Sequence, residues 1–303
     1  MNNKLKGTLF GVVAAVAYGT NPLFSLPLYA LCMTPDSVLF YRYGIGGALL
    51  GLILKLRGES LRLKKHEVLP LFLLGVLFSS SSFLLFKSFL YMDAGVASTI
   101  LFVYPVLVAL IMAVVFKEKA SWITYGCIGL ALCGIGLLYK GDGESGLDVV
   151  GMTLVLLSAL TYAIYIIIVG RIASLKLPVG KMSFWVIVFG MTVFVVSTKF
   201  LTQLQPVPPT LSGWVNVCGE AIVPTVISVL FINISIKAIG STYAAIIGAL
   251  EPVTALMIGV FVFGESFTLR IAVGALLIVF AVILVVSQNV VVTGLKKGWH
   301  KLR

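Results

Sequence analysis

Short polar breaks divide the chain into ten apolar runs, each close to the length that crosses a bilayer as a helix. A helix rises about 1.5 Å per residue, so roughly 20 apolar residues span a hydrocarbon core about 30 Å thick. The runs fall near residues 6–26, 36–54, 69–91, 96–116, 120–139, 149–170, 182–202, 214–236, 242–263 and 268–288. Several links are very short, such as Tyr91-Met92-Asp93-Ala94-Gly95 and Lys117-Glu118-Lys119-Ala120-Ser121. They force antiparallel neighbours and leave no room for a soluble domain between spans. The expected fold class is therefore an all-α membrane protein with ten transmembrane helices. Composition agrees: 60% of the 303 residues are hydrophobic and 11% charged, where a soluble domain carries about a quarter charged.

The formal net charge of +11 could suggest a nucleic-acid partner. The basic residues, however, lie in links between apolar runs and form no basic face, so no nucleic-acid binding is expected. With the N-terminus inside, 17 lysines and arginines fall in cytoplasmic segments and only Lys140, Lys199 and Arg270 fall outside. Arg42 and Lys87 lie within spans, which accounts for all 22. That asymmetry is the positive-inside pattern and predicts both termini in the cytoplasm of a bacterial-type inner membrane. Ala15-Val16-Ala17 resembles a signal-peptidase site, but the first span has a counterpart in the second half, so it is expected to be retained. The basic tail from Lys296 to Arg303, with Trp299, reads as an anchor on anionic lipid.

A gapless offset of 147 residues aligns the fourth and ninth spans. It places Ala97 on Ala244, Ile100 on Ile247, Pro105 on Pro252 and Glu118 on Glu265. An offset of 144 pairs Gly7 with Gly151, Ala15 with Ala159 and Tyr18 with Tyr162 in the first and sixth spans. Aliphatic matches arise readily between apolar runs; a proline and a glutamate thirteen residues apart in both copies do not. Each unit holds an odd number of spans, so the second is expected to insert upside down, with Glu118 and Glu265 capping their helices on opposite sides. Inverted repeats suit a secondary transporter, in which two related halves exchange conformations about a midplane site.

The stretches Leu101-Phe102-Val103-Tyr104-Pro105 to Glu118 and Leu250-Glu251-Pro252 to Glu265 resemble the paired signatures of the EamA-type drug/metabolite transporter superfamily. So do Arg42 early in the second span and the turn from Lys237 to Ala245. The resemblance covers residues 7–139 and 151–286 as two five-helix repeats. It implies a cavity lined by the first, third, fourth, sixth, eighth and ninth helices. It also implies transport of amino acids, nucleobases, sugars or drugs, often as export.

Charges within a span cost several kcal/mol unless paired or hydrated, so each is a functional candidate. Glu251 lies near the middle of the ninth span. Pro252 behind it is expected to leave the Gly248 carbonyl without its helical donor. The alternative for Glu251 is a structural acid that stabilises a helix break at Pro252, with Pro105 its counterpart. Tyr104 takes the pseudo-symmetric place of Glu251. Arg42, Lys87 and Glu220 fall one to two turns from the outer ends of their spans, where long cationic chains can simply snorkel. Were all four charges to share one cavity, two cations and two acids would suit a zwitterion such as an amino acid. Tyr18, Asn21, Tyr162, Tyr165 and Asn233 are further candidates for a polar lining. The run Ser79-Ser80-Ser81-Ser82 reads first as helix packing, and Gly126, Gly129, Gly134 and Gly136 read as helix contacts that could include a homodimer face.

Nothing in the chain carries catalysis: there is no phosphate loop, no pair of histidines at metal spacing and no acid–base set with an orienting partner. His66 and His300 lie in charged segments, and Cys32, Cys127, Cys133 and Cys218 form no C-x-x-C pair. Neither a metal nor a cofactor is expected. Without a Walker sequence, transport must be driven by gradients or exchange. The expected function is secondary transport of a small metabolite by alternating access, with amino acids the leading substrate class and the lipid bilayer the other partner. The competing readings are a membrane-embedded enzyme, a channel or a scaffold.

Overall fold

The computed structural model describes residues 3–117, 122–139, 148–171, 177–239 and 247–300. Within these, the side chains of residues 3–4, 123–124, 139, 170–171, 233, 236–237 and 285–300 are not described. All elements among the described residues are helices. They are α1 (Asn3–Gly19), α2 (Asn21–Ala30), α3 (Pro35–Leu56), α4 (Lys65–Ser88), α5 (Ala94–Leu101), α6 (Tyr104–Val114) and α7 (Trp122–Tyr139). The second half holds α8 (Val149–Arg171), α9 (Val179–Ser197), α10 (Leu211–Ala221), a π-helical segment (Ile222–Ile227), α11 (Ser228–Ile239), α12 (Leu250–Phe263) and α13 (Leu269–His300). Among the described residues, seven helices are long and apolar enough to cross a membrane, and three shorter apolar helices, Tyr125–Leu138, Leu250–Phe263 and Leu269–Leu284, fall in the other three runs.

The packing repeats with the halves exchanged. α7 lies on α13, α5 on α12 and α3 on α9, so the fifth, fourth and second spans each meet their own counterpart. The remaining major contacts come in related pairs. α1 on α11 corresponds to α8 on α4, and α4 on α9 corresponds to α10 on α3. A duplicated five-helix unit, its second copy inverted, accounts for this pattern. At the α7–α13 crossing the backbones nearly touch: a Cβ added to Gly134 would sit 2.8 Å from the Gly274 carbonyl oxygen. Without a hydrophobic drive between helices in lipid, such small-residue contacts hold spans together by dispersion. Among the described residues nothing lies within 4 Å of a Cβ built at Gly126, Gly129 or Gly136, so there only Gly134 of the four glycines makes the expected contact.

Four of the spans are interrupted, and prolines explain where. A proline lacks the N–H that would bond to the carbonyl four residues back, and it is tolerated in the first turn of a new helix. The fourth span stops at Leu101 and restarts at Tyr104, which puts Pro105 in the first turn of α6. The ninth span restarts at Leu250, two residues before Pro252. The carbonyl expected to be left free there is recaptured, since the Glu251 N–H donates to Gly248 O at 2.9 Å. In the first span Pro22 would orphan the Tyr18 carbonyl, and the Asn21 side-chain amide donates to it at 2.8 Å. In the eighth span Pro224 falls in the π-helical segment, and the Thr225 hydroxyl donates to Glu220 O at 3.1 Å.

Candidate functional site

The side chains recruited at the breaks of the first and eighth spans also hold Arg42. Its Nη1 donates to Asn21 Oδ1 at 2.8 Å and to Glu220 Oε1 at 2.9 Å. Its Nε donates to Thr225 Oγ1 at 2.9 Å. The guanidinium carbon lies 5.3 Å from the Phe86 ring centre and 6.0 Å from that of Tyr18. Arg42 is 3% exposed and Glu220 is fully buried. Arg42 therefore does not snorkel; it is bolted between proline-interrupted helices of the two repeats. Glu220 Oε2 has no hydrogen-bond partner.

A second cluster forms around Glu251. Glu251 sits in the first turn of α12, where the positive end of the helix dipole favours a carboxylate. Tyr18, Tyr104 and Tyr162 all stand within electrostatic range of it. They come from α1, α6 and α8, so both repeats contribute. The Tyr104 and Tyr162 rings meet edge to face with centroids 4.7 Å apart, and Tyr165 stacks on Tyr162 at 5.7 Å. Gly19 admits the α12 backbone to this junction, since a Cβ there would lie 2.6 Å from Glu251 O. Glu251 and the three tyrosines are half-buried. Among the described residues neither the carboxylate nor those hydroxyls has a hydrogen-bond partner.

The four in-span charges therefore separate into distinct settings. Arg42 and Glu220 neutralise each other. Half-buried Lys87 sets its ammonium 4.8 Å from the Phe83 ring centre, and Glu251 stands alone with its tyrosines. The serine run packs helices together: Ser81 and Ser158 exchange hydroxyl–carbonyl bonds across α4 and α8 at 2.9 and 2.7 Å. Ser82 and the Tyr43 hydroxyl lie 2.8 Å apart. Glu265 caps a helix other than its own. Its carboxylate accepts from the N–H groups of Ala94 and Gly95 at 2.8 and 3.1 Å, at the start of α5. Glu118, residues 240–246 of the Lys237 turn, and the side chains of Asn233 and Lys237 lie outside what is described. Thr225 was not singled out by the sequence reading. Its signal was Pro224 inside an apolar run, next to a hydroxyl able to replace the lost donor.

Ten apolar helical segments, duplicated with inversion around a polar junction to which both halves contribute, define a membrane transport protein of the inverted-repeat class. A model of the EamA-like transporter family matches residues 5–140 and 149–287. The chain belongs to that family. A Synechocystis protein described as an uncharacterized transporter is 29% identical over 216 residues, covering 68% of this chain; the match spans 63% of that protein's length. An Archaeoglobus fulgidus protein, likewise described as an uncharacterized transporter, is 23% identical over 264 residues, or 85% of this chain and 90% of that one. A solved structure titled "Crystal structure of protein" aligns with a TM-score of 0.66 at 20% identity, covering 93% of this chain and 96% of that one. It shows the fold alone.

Proposed function

We propose that the protein is a secondary transporter that binds a small amine-bearing metabolite at Glu251 and moves it by alternating access, in the direction of export. One observation carries this reading: a half-buried carboxylate with no hydrogen-bond partner among the described residues, within electrostatic range of three tyrosines from both repeats. A carboxylate stripped of water calls for a cation or a proton, and tyrosine faces attract ammonium groups. Amino acids remain the leading class, with the ammonium on Glu251. The zwitterion argument from four shared charges loses its force, because Arg42 and Glu220 satisfy each other. The lysine and arginine distribution supports an inner-membrane setting with both termini cytoplasmic.

The test is uptake by purified protein in liposomes from a labelled panel of amino acids, polyamines, nucleobases and sugars. Transport of one amine-bearing class is expected, and Glu251→Gln should abolish its pH dependence while leaving insertion intact. If folded protein moves nothing in the panel, the transport reading fails. If Glu251→Gln behaves as wild type, the carboxylate is structural.

A further inference from the structure

Glu265 reaches from the end of α12 in the second repeat to the start of α5 in the first. The first N–H groups of a helix have no partner within it. At α5 the N-cap residue, Asp93, makes no side-chain cap, so the bonds from Ala94 and Gly95 to Glu265 supply it from the other repeat. Two features of α12 permit this. Gly264 takes a left-handed conformation with φ of +69°, which reverses the chain, and the Glu265 N–H then bonds to Gly259 O at 2.9 Å. Gly259 leaves room for the carboxylate, because a Cβ at that position would overlap Glu265 Oε2. Gly95 is equally constrained: its Cβ would lie 2.8 Å from the Leu256 Cα and 3.0 Å from Glu265 Oε2. Behind the contact, α5 is buried along nearly its whole length.

We infer that the Glu265 carboxylate, seated on Gly259 and capping α5, is a latch between the repeats that closes one end of the path to the Glu251 junction. α5 leads through residues 102–103 directly to Tyr104, one of the tyrosines of that junction. By the charge distribution this end faces outward. At the 147-residue offset, Met112 stands where Gly259 stands. Lys117, at the position of Gly264, does share its left-handed turn, with φ of +53°.

Two variants remove the latch in different ways. Glu265→Ala deletes the acceptor; Gly259→Ala evicts it sterically while favouring the helix that carries it. Hydrogen–deuterium exchange of residues 94–101 is measured in nanodiscs. In parallel, Tyr104→Cys is labelled in right-side-out vesicles by a membrane-impermeant thiol reagent and read by peptide mass spectrometry, with exposed Cys32 as the control. Each variant should speed exchange at the start of α5 by about tenfold, as expected for loss of a charge-assisted hydrogen bond. Each should also raise Tyr104→Cys labelling severalfold, with Cys32 unchanged. The double variant should match the singles, because both break one interaction. Unchanged exchange overturns the latch. Faster exchange without added labelling overturns its role in closing the path. Neither measurement uses a substrate, so both stand apart from whether transport is observed.

Discussion

Arg42→Met should be markedly worse than Glu220→Gln, and the double variant Arg42→Met/Glu220→Met better than either. Removing one partner of a buried ion pair costs about 3–5 kcal/mol, because the other charge stays behind without compensation. The surroundings decide where each variant falls in that range. With Gln at 220, Arg42 keeps the acceptors on Asn21 and Thr225 and the Phe86 face, and the Gln carbonyl can still accept from Nη1. The cost should lie at the low end, about 3 kcal/mol, or roughly a hundredfold in the unfolding equilibrium. With Met at 42, Glu220 loses Arg42, its one side-chain partner. Oε2 already has none, so the cost should approach 5 kcal/mol, or several thousandfold. Replacing both charges with apolar chains of similar volume removes the desolvation penalty together with the attraction and should be close to neutral. The assay is reversible unfolding in mixed detergent–SDS micelles, followed by tryptophan fluorescence. Equal losses for the two single variants, or a double variant that sums them, would falsify the account of Arg42 as a bolt held by a mutually dependent pair.

Asn21→Ala should cost about 1–3 kcal/mol, since it unbinds both Arg42 and the Tyr18 carbonyl. Adding Pro22→Ala should return part of that by restoring an N–H to Tyr18 O, and melting temperatures of the three variants decide it. Gly134→Ala should cost about 1–3 kcal/mol by pushing α7 off Gly274, whereas Gly129→Ala should cost nothing in the same melting assay. The closed latch should be favoured by acid. Burial, then Asp93, hold the Glu265 carboxyl above the usual carboxylate range, against the lowering pull of the Gly95 and Ala94 N–H groups. A pKa raised in the closed form means that this form binds the proton more tightly. Its stabilisation is thus greatest at low pH and is lost as pH rises through the closed-state pKa. Exchange at residues 94–101, corrected for intrinsic rates, should therefore speed up from pH 5 to pH 8 beyond that correction. Glu265→Gln should flatten the trend, and a trend of opposite sign would refute the linkage.

The architecture was legible because bilayer thickness sets a length and inversion leaves an offset. Ten runs near 20 residues and the Pro–Glu spacing repeated at 147 are properties of the chain itself. Helix interruptions were half legible. Pro105 and Pro252 marked two of them, but the breaks come just before each proline, because a proline inside the first turn costs little. Pro22 and Pro224 marked the other two and carried a further hint, since each adjoins a side chain able to replace the missing donor, Asn21 and Thr225. What the sequence hid was pairing. Nothing in residue order shows that Arg42 meets Glu220 across 178 positions while Lys87, at a similar depth, settles over Phe83. Nor does it show that Glu265 caps α5 rather than its own helix, because that depends on how the repeats dock.

The two polar clusters differ in a way that assigns them different work. Around Arg42 the charges balance, and the guanidinium, itself on the second span, makes hydrogen bonds to groups from the first and eighth spans. Such a cluster resists separation and has nothing left to offer a ligand except Glu220 Oε2, which is sealed from the outside. At Glu251 the reverse holds: one charge, no side-chain partner among the described residues, and half-buried tyrosines within electrostatic range. A carboxylate left so would be unfavourable in a protein under selection for stability alone, and the proposed binding of a cation or proton there would offset that cost. Tyr18 joins the two clusters, because it lies beside Arg42 and within range of Glu251 on the last turn before the first-span break. The proline breaks of the first and eighth spans thus anchor the self-satisfied cluster, leaving Glu251 as the group available to the proposed alternating-access cycle.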